Sequence, residues 1–124
     1  MCQTRRVVIV EPGKLPAVTF IEDSLEGMQK AVGGYIELFE TTASGIDLFC
    51  NDEGKLTNME MNRYFPELQD IICGPILVIG HDEEGSSVSL TDEQIEEAVE
   101  LFTYKYPPAL FGASDSGFFI LNLI

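Results

Sequence analysis

The chain has 124 residues, enough to bury one core without disulfide or metal support, and 45% of them are hydrophobic, which excludes wholesale disorder. Lys and Arg number 7 against 21 Asp and Glu, for a net charge of −14. That balance argues against direct nucleic-acid binding, where Lys and Arg must neutralise phosphates, and against attraction to anionic membranes.

Residues 6–10 (RVVIV) form a β-branched run that reads as a buried strand, closed by the turn residues Glu11-Pro12-Gly13. A short second strand follows at residues 17–21, with Val18 and Phe20 on one face. The spacing of Leu25, Met28 and Val32 predicts an amphipathic helix. Asp23 is its expected N-cap and Glu26 the partner that closes a capping box. Gly33 and Gly34 stop the helix, because a glycine beyond the last turn accepts the left-handed conformation that closes it. These glycines follow a helix instead of preceding one, so they present no helix N-terminus to a phosphate. Residues 35–50 then read as a hairpin: Ile36 and Leu38 share a face on one arm, and Ile46, Leu48 and Cys50 alternate on the other.

Residues 56–65 are the least legible stretch, with Met59, Met61 and Phe65 as expected core. Ile71 and Ile72 lead to Gly74-Pro75, and the continuous apolar run at residues 76–79 (ILVI) suits a central strand. An acidic loop follows at residues 80–87. Thr91 and Gln94 carry a second capping box, with Leu90 and Ile95 placed as its hydrophobic staple. Ile95, Ala98, Val99 and Phe102 make that helix's apolar face, and Glu93, Glu96, Glu97 and Glu100 its acidic one. Pro107-Pro108 ends it, and a polar link, GASDSG, leads to the apolar tail FFILNLI, expected as a last strand completing the sheet.

These elements give an α+β fold: a mostly antiparallel sheet of about five or six strands, with two amphipathic helices on one face. Residues 1–106 form a single domain, and 107–124 a C-terminal extension that is either a last strand or a partner-contacting segment. The expected core is Leu25, Met28, Val32, Ile36, Leu38, Leu48, Ile76, Val78, Ile95, Val99 and Phe102.

Catalytic chemistry finds little footing. The lone histidine, His81, sits in the acidic loop and reads as a solvated imidazole. Cys50 and Cys73 lie in apolar strands, where cysteine behaves as a small hydrophobe. Cys2, Cys50 and Cys73 are odd in number and far apart, which suits a reduced, cytoplasmic protein. No apolar run reaches the roughly 20 residues of a membrane helix. A calcium loop counted from Asn51 puts Leu56 at the obligatory glycine, and one counted from Asp82 puts Ser87 there. No cofactor or metal is therefore expected. The candidate interaction surface is Glu93, Glu96, Glu97 and Glu100 together with Asp82, Glu83 and Glu84.

Glu11-Pro12-Gly13-Lys14, Ile21-Glu22-Asp23-Ser24-Leu25, Val32-Gly33-Gly34-Tyr35-Ile36-Glu37, Cys50-Asn51 with Glu53-Gly54-Lys55, Asn62-Arg63, residues 71–80 and Leu90-Thr91-Asp92-Glu93-Gln94-Ile95 follow one another in order. Together they resemble a small bacterial and phage family, domain of unknown function 3846. The resemblance covers residues 6–103 and implies a small cytoplasmic α+β protein of gut bacteria and their mobile elements. It carries over no catalytic residues. The chain departs from the pattern after Phe102. The leading expectation is a non-enzymatic accessory protein with an unknown protein partner. An acidic DNA mimic of the anti-restriction kind comes second and a small hydrolase third. The apolar tail is a candidate homodimer contact.

Overall fold

The computed structural model describes residues 3–114 and 117–122. The central sheet is built from β1 (Thr4–Val10), β2 (Ala17–Glu22), β3 (Ile36–Thr41), β4 (Ile46–Asn51) and β7 (Ile76–His81). They run in the order β2-β1-β7-β4-β3, all neighbours antiparallel. The two-residue β8 (Ser87–Val88) pairs with β7 as a sixth member. Two hairpins stand apart as sheets of their own: β5 (Met61–Phe65) with β6 (Asp70–Cys73), and β9 (Ala109–Ser114) with β10 (Gly117–Asn122). With the helices α1 (Leu25–Val32) and α2 (Asp92–Glu100), the fold is α+β.

The helices lie on opposite faces of the sheet, not on one as expected. Val8, Val10, Ile46, Leu48, Ile76 and Val78 point to one side, where Ala98 and Phe102 cover them along with Phe65 and Ile72 of the β5–β6 hairpin. Val7, Leu77 and Ile79 point to the other side and meet Met28 and Val32 of α1. The run at 76–79 explains the arrangement. A strand apolar at every position is buried on both faces and needs a cover on each.

Local chemistry sets the helix ends. The N-cap of α1 is Ser24, not Asp23: its hydroxyl accepts from the Gly27 N–H at 3.0 Å, while the Asp23 carboxylate is taken by Arg5. Gly27, Met28, Ala31 and Val32 form the packed face. Leu25 lies roughly 90° round the helix from the middle of that face at 100° per residue, and is 57% exposed rather than core. Gly27 is required there, because a Cβ at that position would stand 2.2 Å from the Glu22 carbonyl oxygen. Gly33 closes the helix in the left-handed conformation, φ +79°.

On β3 a bulge between Leu38 and Glu40 shifts the register. Phe39 turns toward the core edge-on to Phe65 at 5.2 Å, and Leu38 is left 50% exposed on the outermost strand, another departure from the expected core. Ile36, Met59, Met61, Ile95 and Val99 are half-buried; the remaining expected core residues are buried. The tail also differs from expectation. Its backbone from Phe118 to Asn122 pairs with β9 and leaves the central sheet unextended. Gly112 to Ser114 of the polar link belong to β9 itself. Leu123 and Ile124 lie outside the described residues, as does Cys2.

The least legible stretch holds the fold together. Asn62 and Arg63 on β5 are 0% and 1% exposed. Asn62 Nδ2 donates to the carbonyls of Val10 at 2.7 Å and Gly74 at 2.8 Å. Arg63 Nη1 donates to Asn62 Oδ1 at 2.8 Å, Nη2 to the Lys14 carbonyl at 2.6 Å, and Nε to the Tyr106 carbonyl at 2.7 Å. Past α2 the chain widens into a π-helical turn, Leu101–Lys105, where the Tyr106 N–H reaches back five residues to Leu101 at 2.7 Å. Pro107 has no N–H for the Phe102 carbonyl, and Arg63 Nη2 approaches that oxygen at 3.4 Å instead. Burial pulls the guanidinium down to about 10, so it stays charged at neutral pH.

Truncation separates the two kinds of apolar residue. Phe102→Ala should lose roughly 3–5 kcal/mol of stability, whereas Leu38→Ala, on the open edge, should lose less than about 0.5 kcal/mol. Urea unfolding measures both. A large loss at Leu38 would contradict the bulged, exposed register of β3.

Candidate acidic interaction surface

Three segments meet at the N-terminal end of α2. Its capping box is complete: Thr91 Oγ1 accepts from the Gln94 N–H at 3.2 Å, and Gln94 Oε1 accepts from the Thr91 N–H at 3.0 Å. Gln94 Nε2 donates to the Ser44 carbonyl at 2.8 Å, and the Ser44 hydroxyl donates to the Glu97 carboxylate. The His81 N–H donates to the Gly45 carbonyl at 3.0 Å, which brings the end of β7 to the same β3–β4 turn. Asp82 shapes the loop after β7 by accepting from the Glu84 and Ser86 N–H groups at 3.0 and 2.9 Å.

All seven carboxylates of the expected surface (Glu93, Glu96, Glu97, Glu100, Asp82, Glu83 and Glu84) are exposed. Among the described residues none has a cation within ion-pair distance. Five bases are committed to other carboxylates. Arg5 pairs with Asp23, Arg6 with Asp92, Lys14 with Glu11, Lys55 with Asp70 and Lys105 with Glu67. Arg63 is inside the core, which leaves Lys30 on α1 as the remaining base.

His81 is the last residue of β7, half-buried, and not a solvated loop residue as expected. Its Nδ1 lies 3.0 Å from Asp47 Oδ1, an oxygen that also accepts from Thr41 Oγ1 at 2.8 Å. Asp47 is itself buried. A carboxylate on Nδ1 fixes the imidazole tautomer and leaves Nε2 as the free nitrogen, the orientation a general base uses. Strand alternation puts Asp47 on the α1 side of β4 and Cys50 on the α2 side, so thiol and imidazole occupy opposite faces.

A cleft of about 160 Å³ lies between the edge of the sheet and the β5–β6 hairpin, lined by Glu37, Phe39, Cys50, Asp52, Asp70 and Cys73 among others. Both thiols are free. Burial, reinforced by Glu37, Asp70 and Asp52, pushes Cys50 up to about 11, and burial raises Cys73 as well. A thiol held protonated is a poor nucleophile and a poor metal ligand. Among the described residues no group of three His, Cys, Asp or Glu side chains is placed to hold a metal ion. No helix among them is long and apolar enough to cross a membrane.

Residues 4–103 match the model of a protein family described as a domain of unknown function, DUF3846. No curated protein and no solved structure matches the chain.

The shielding of Cys50 has a measurable sign. From its ordinary value of 9.0 up to about 11, the unfolded chain gives up its thiol proton before the folded one does. Stability should therefore fall as pH rises through that window. Urea unfolding of wild type and Cys50→Ala should diverge across it, with the variant lacking this contribution. Parallel pH profiles would mean that the thiol is not shielded.

Proposed function

The chain belongs to the DUF3846 family, and on that premise we propose that it is a non-catalytic cytoplasmic accessory protein that holds a basic protein partner on its acidic surface. One observation carries the reading: the seven exposed carboxylates at and beside α2 have no internal cation, because nearly every base is spent elsewhere. Carboxylates left uncompensated repel one another, and a positively charged surface relieves that repulsion. The Gln94 and Glu97 contacts to the β3–β4 turn hold the surface in a set shape before any partner arrives. Two free thiols suit a reducing compartment.

Imitation of DNA, as an anti-restriction-like protein of a mobile element would practise it, is a narrower form of the same reading. Glu93 to Glu100 spans about 10 Å along the helix axis, the rise of about three nucleotides of one strand. The strip must continue into Asp82–Glu84 to reach useful length. In a pull-down from the native host, wild type should capture its partner at low salt and release it at high salt. The variant with Glu93, Glu96, Glu97 and Glu100 changed to Gln should fold normally and capture nothing. A partner held equally by both proteins at both salt levels would end the proposal. Competition by duplex DNA would single out the mimic.

The His81–Asp47 pair favours hydrolysis as a second reading, with His81 as the base. It predicts turnover of simple activated esters above the buffer rate, lost in His81→Gln. Equal rates for wild type, variant and buffer would remove it.

A further inference from the structure

The two edges of the central sheet differ in kind. β3 carries the devices that discourage strand pairing: a bulge between Leu38 and Glu40, and the charges of Glu37 and Glu40. β2 carries none of them within its length. It pairs with β1 in unbroken register from Thr4↔Glu22 to Ile9↔Ala17, and its one charge, Glu22, is at its end. Among the described residues no strand occupies its outer side. Val18 and Phe20 share one face of β2 and are 48% and 63% exposed. An unbroken, largely apolar edge of this kind is a template for another strand.

Charge decides which strand. The β1–β2 hairpin, Thr4 to Glu22, holds Arg5, Arg6 and Lys14 against Glu11 and Glu22, a net of +1 in a chain of −14. Each of those three bases is already in an ion pair. A second copy, itself at −14, is repelled by the rest of the surface and meets little repulsion here.

We propose that β2 is a homodimer edge, pairing antiparallel with β2 of a second copy about a two-fold axis at Thr19. In that register Val18 stands opposite Phe20 of the partner and Phe20 opposite its Val18, two aromatic–β-branched cross-strand pairs on one face. Ala17 and Ile21 pair in the same way on the other face. Glu22 falls opposite the partner's Pro16, about 20 Å from the partner's Glu22 at roughly 3.4 Å per residue, beyond the ~8 Å screening length of physiological salt. The central sheet becomes continuous through both protomers. The contact is isologous and closed, so it stops at two copies.

The full-length chain tests this in sedimentation velocity and in disulfide trapping. Wild type should be a dimer. Val18→Lys/Phe20→Lys should keep its circular dichroism and raise the dimer dissociation constant more than about tenfold, since each ammonium resists burial without a partner charge. Leu38→Lys on the opposite edge should remain dimeric. A two-fold axis at Thr19 brings its two Cα atoms within about 5.5 Å, inside disulfide range. Thr19→Cys should therefore yield a diamide-induced covalent dimer that wild type does not form, and adding the two lysines should abolish it. A monomeric wild type overturns the proposal. So does a dimer that survives the β2 lysines, one lost instead on Phe119→Lys in the β9–β10 hairpin, or a Thr19→Cys protein that fails to cross-link.

Discussion

A guanidinium buried among backbone carbonyls, with no ion-pair partner among the described residues, is the constraint on which the other elements depend. Taking a charge out of water carries a penalty of several kcal/mol unless its donors are satisfied. Arg63 meets that demand with oxygens drawn from the β1–β2 turn, its neighbour Asn62 and the end of the α2 helix. The last source is electrostatically apt. Helix C-termini carry partial negative charge on their orphaned carbonyls, and Pro107 ensures that the Phe102 carbonyl stays orphaned. The π-helical turn, the proline pair and the buried arginine are one device, and Asn62 extends it to β1 and the β6–β7 turn.

This economy of positive charge shapes the surface. Of seven bases in the chain, one is placed in the core, five are in ion pairs and the last, Lys30, lies on α1, so Glu93, Glu96, Glu97 and Glu100 of α2 stay uncompensated while Arg6 takes only Asp92 at the helix start. Exposed ion pairs such as Lys14–Glu11 add little stability individually. Their larger effect is on where the field is strong. The β1–β2 hairpin is left almost neutral, and the end of the molecule holding Glu93, Glu97 and the Asp82 loop is strongly negative.

Local features were legible from residue types alone. Thr91, Gln94, Leu90 and Ile95 lie within a few positions of one another, and their capping box is present as the spacing implied. The 76–79 run is the middle strand of five. Its uninterrupted apolarity also implies cover on both faces, yet helix amphipathicity by itself does not say which face each helix takes. Asn62 and Arg63 read as polar residues in an unclear stretch, because the partners that bury them are as many as 52 residues away in the chain. His81 changed from loop to strand for the same reason: Asp47, 34 residues earlier, holds its ring. Composition reported the acidic surplus, but not that the bases are spent on other contacts, and this is what leaves the candidate surface uncompensated.

The Asn62–Arg63 clamp also bears on how the chain reaches its native state. Its contacts to Glu11, Lys14, Phe102 and Tyr106 bridge separations of 39 to 52 residues. Closing loops of that size costs about 3.5 kcal/mol of chain entropy each if formed alone, so the clamp is expected to assemble late, after local hairpins have shortened the effective loops. During synthesis the first five strands can leave the ribosome well before Tyr106 does. Until that residue emerges, the guanidinium lacks two of its acceptors and must keep water around it. The nascent sheet is thus held open on its α2 side until the last helical turn arrives, and the final step of folding both dries the core and seats the arginine.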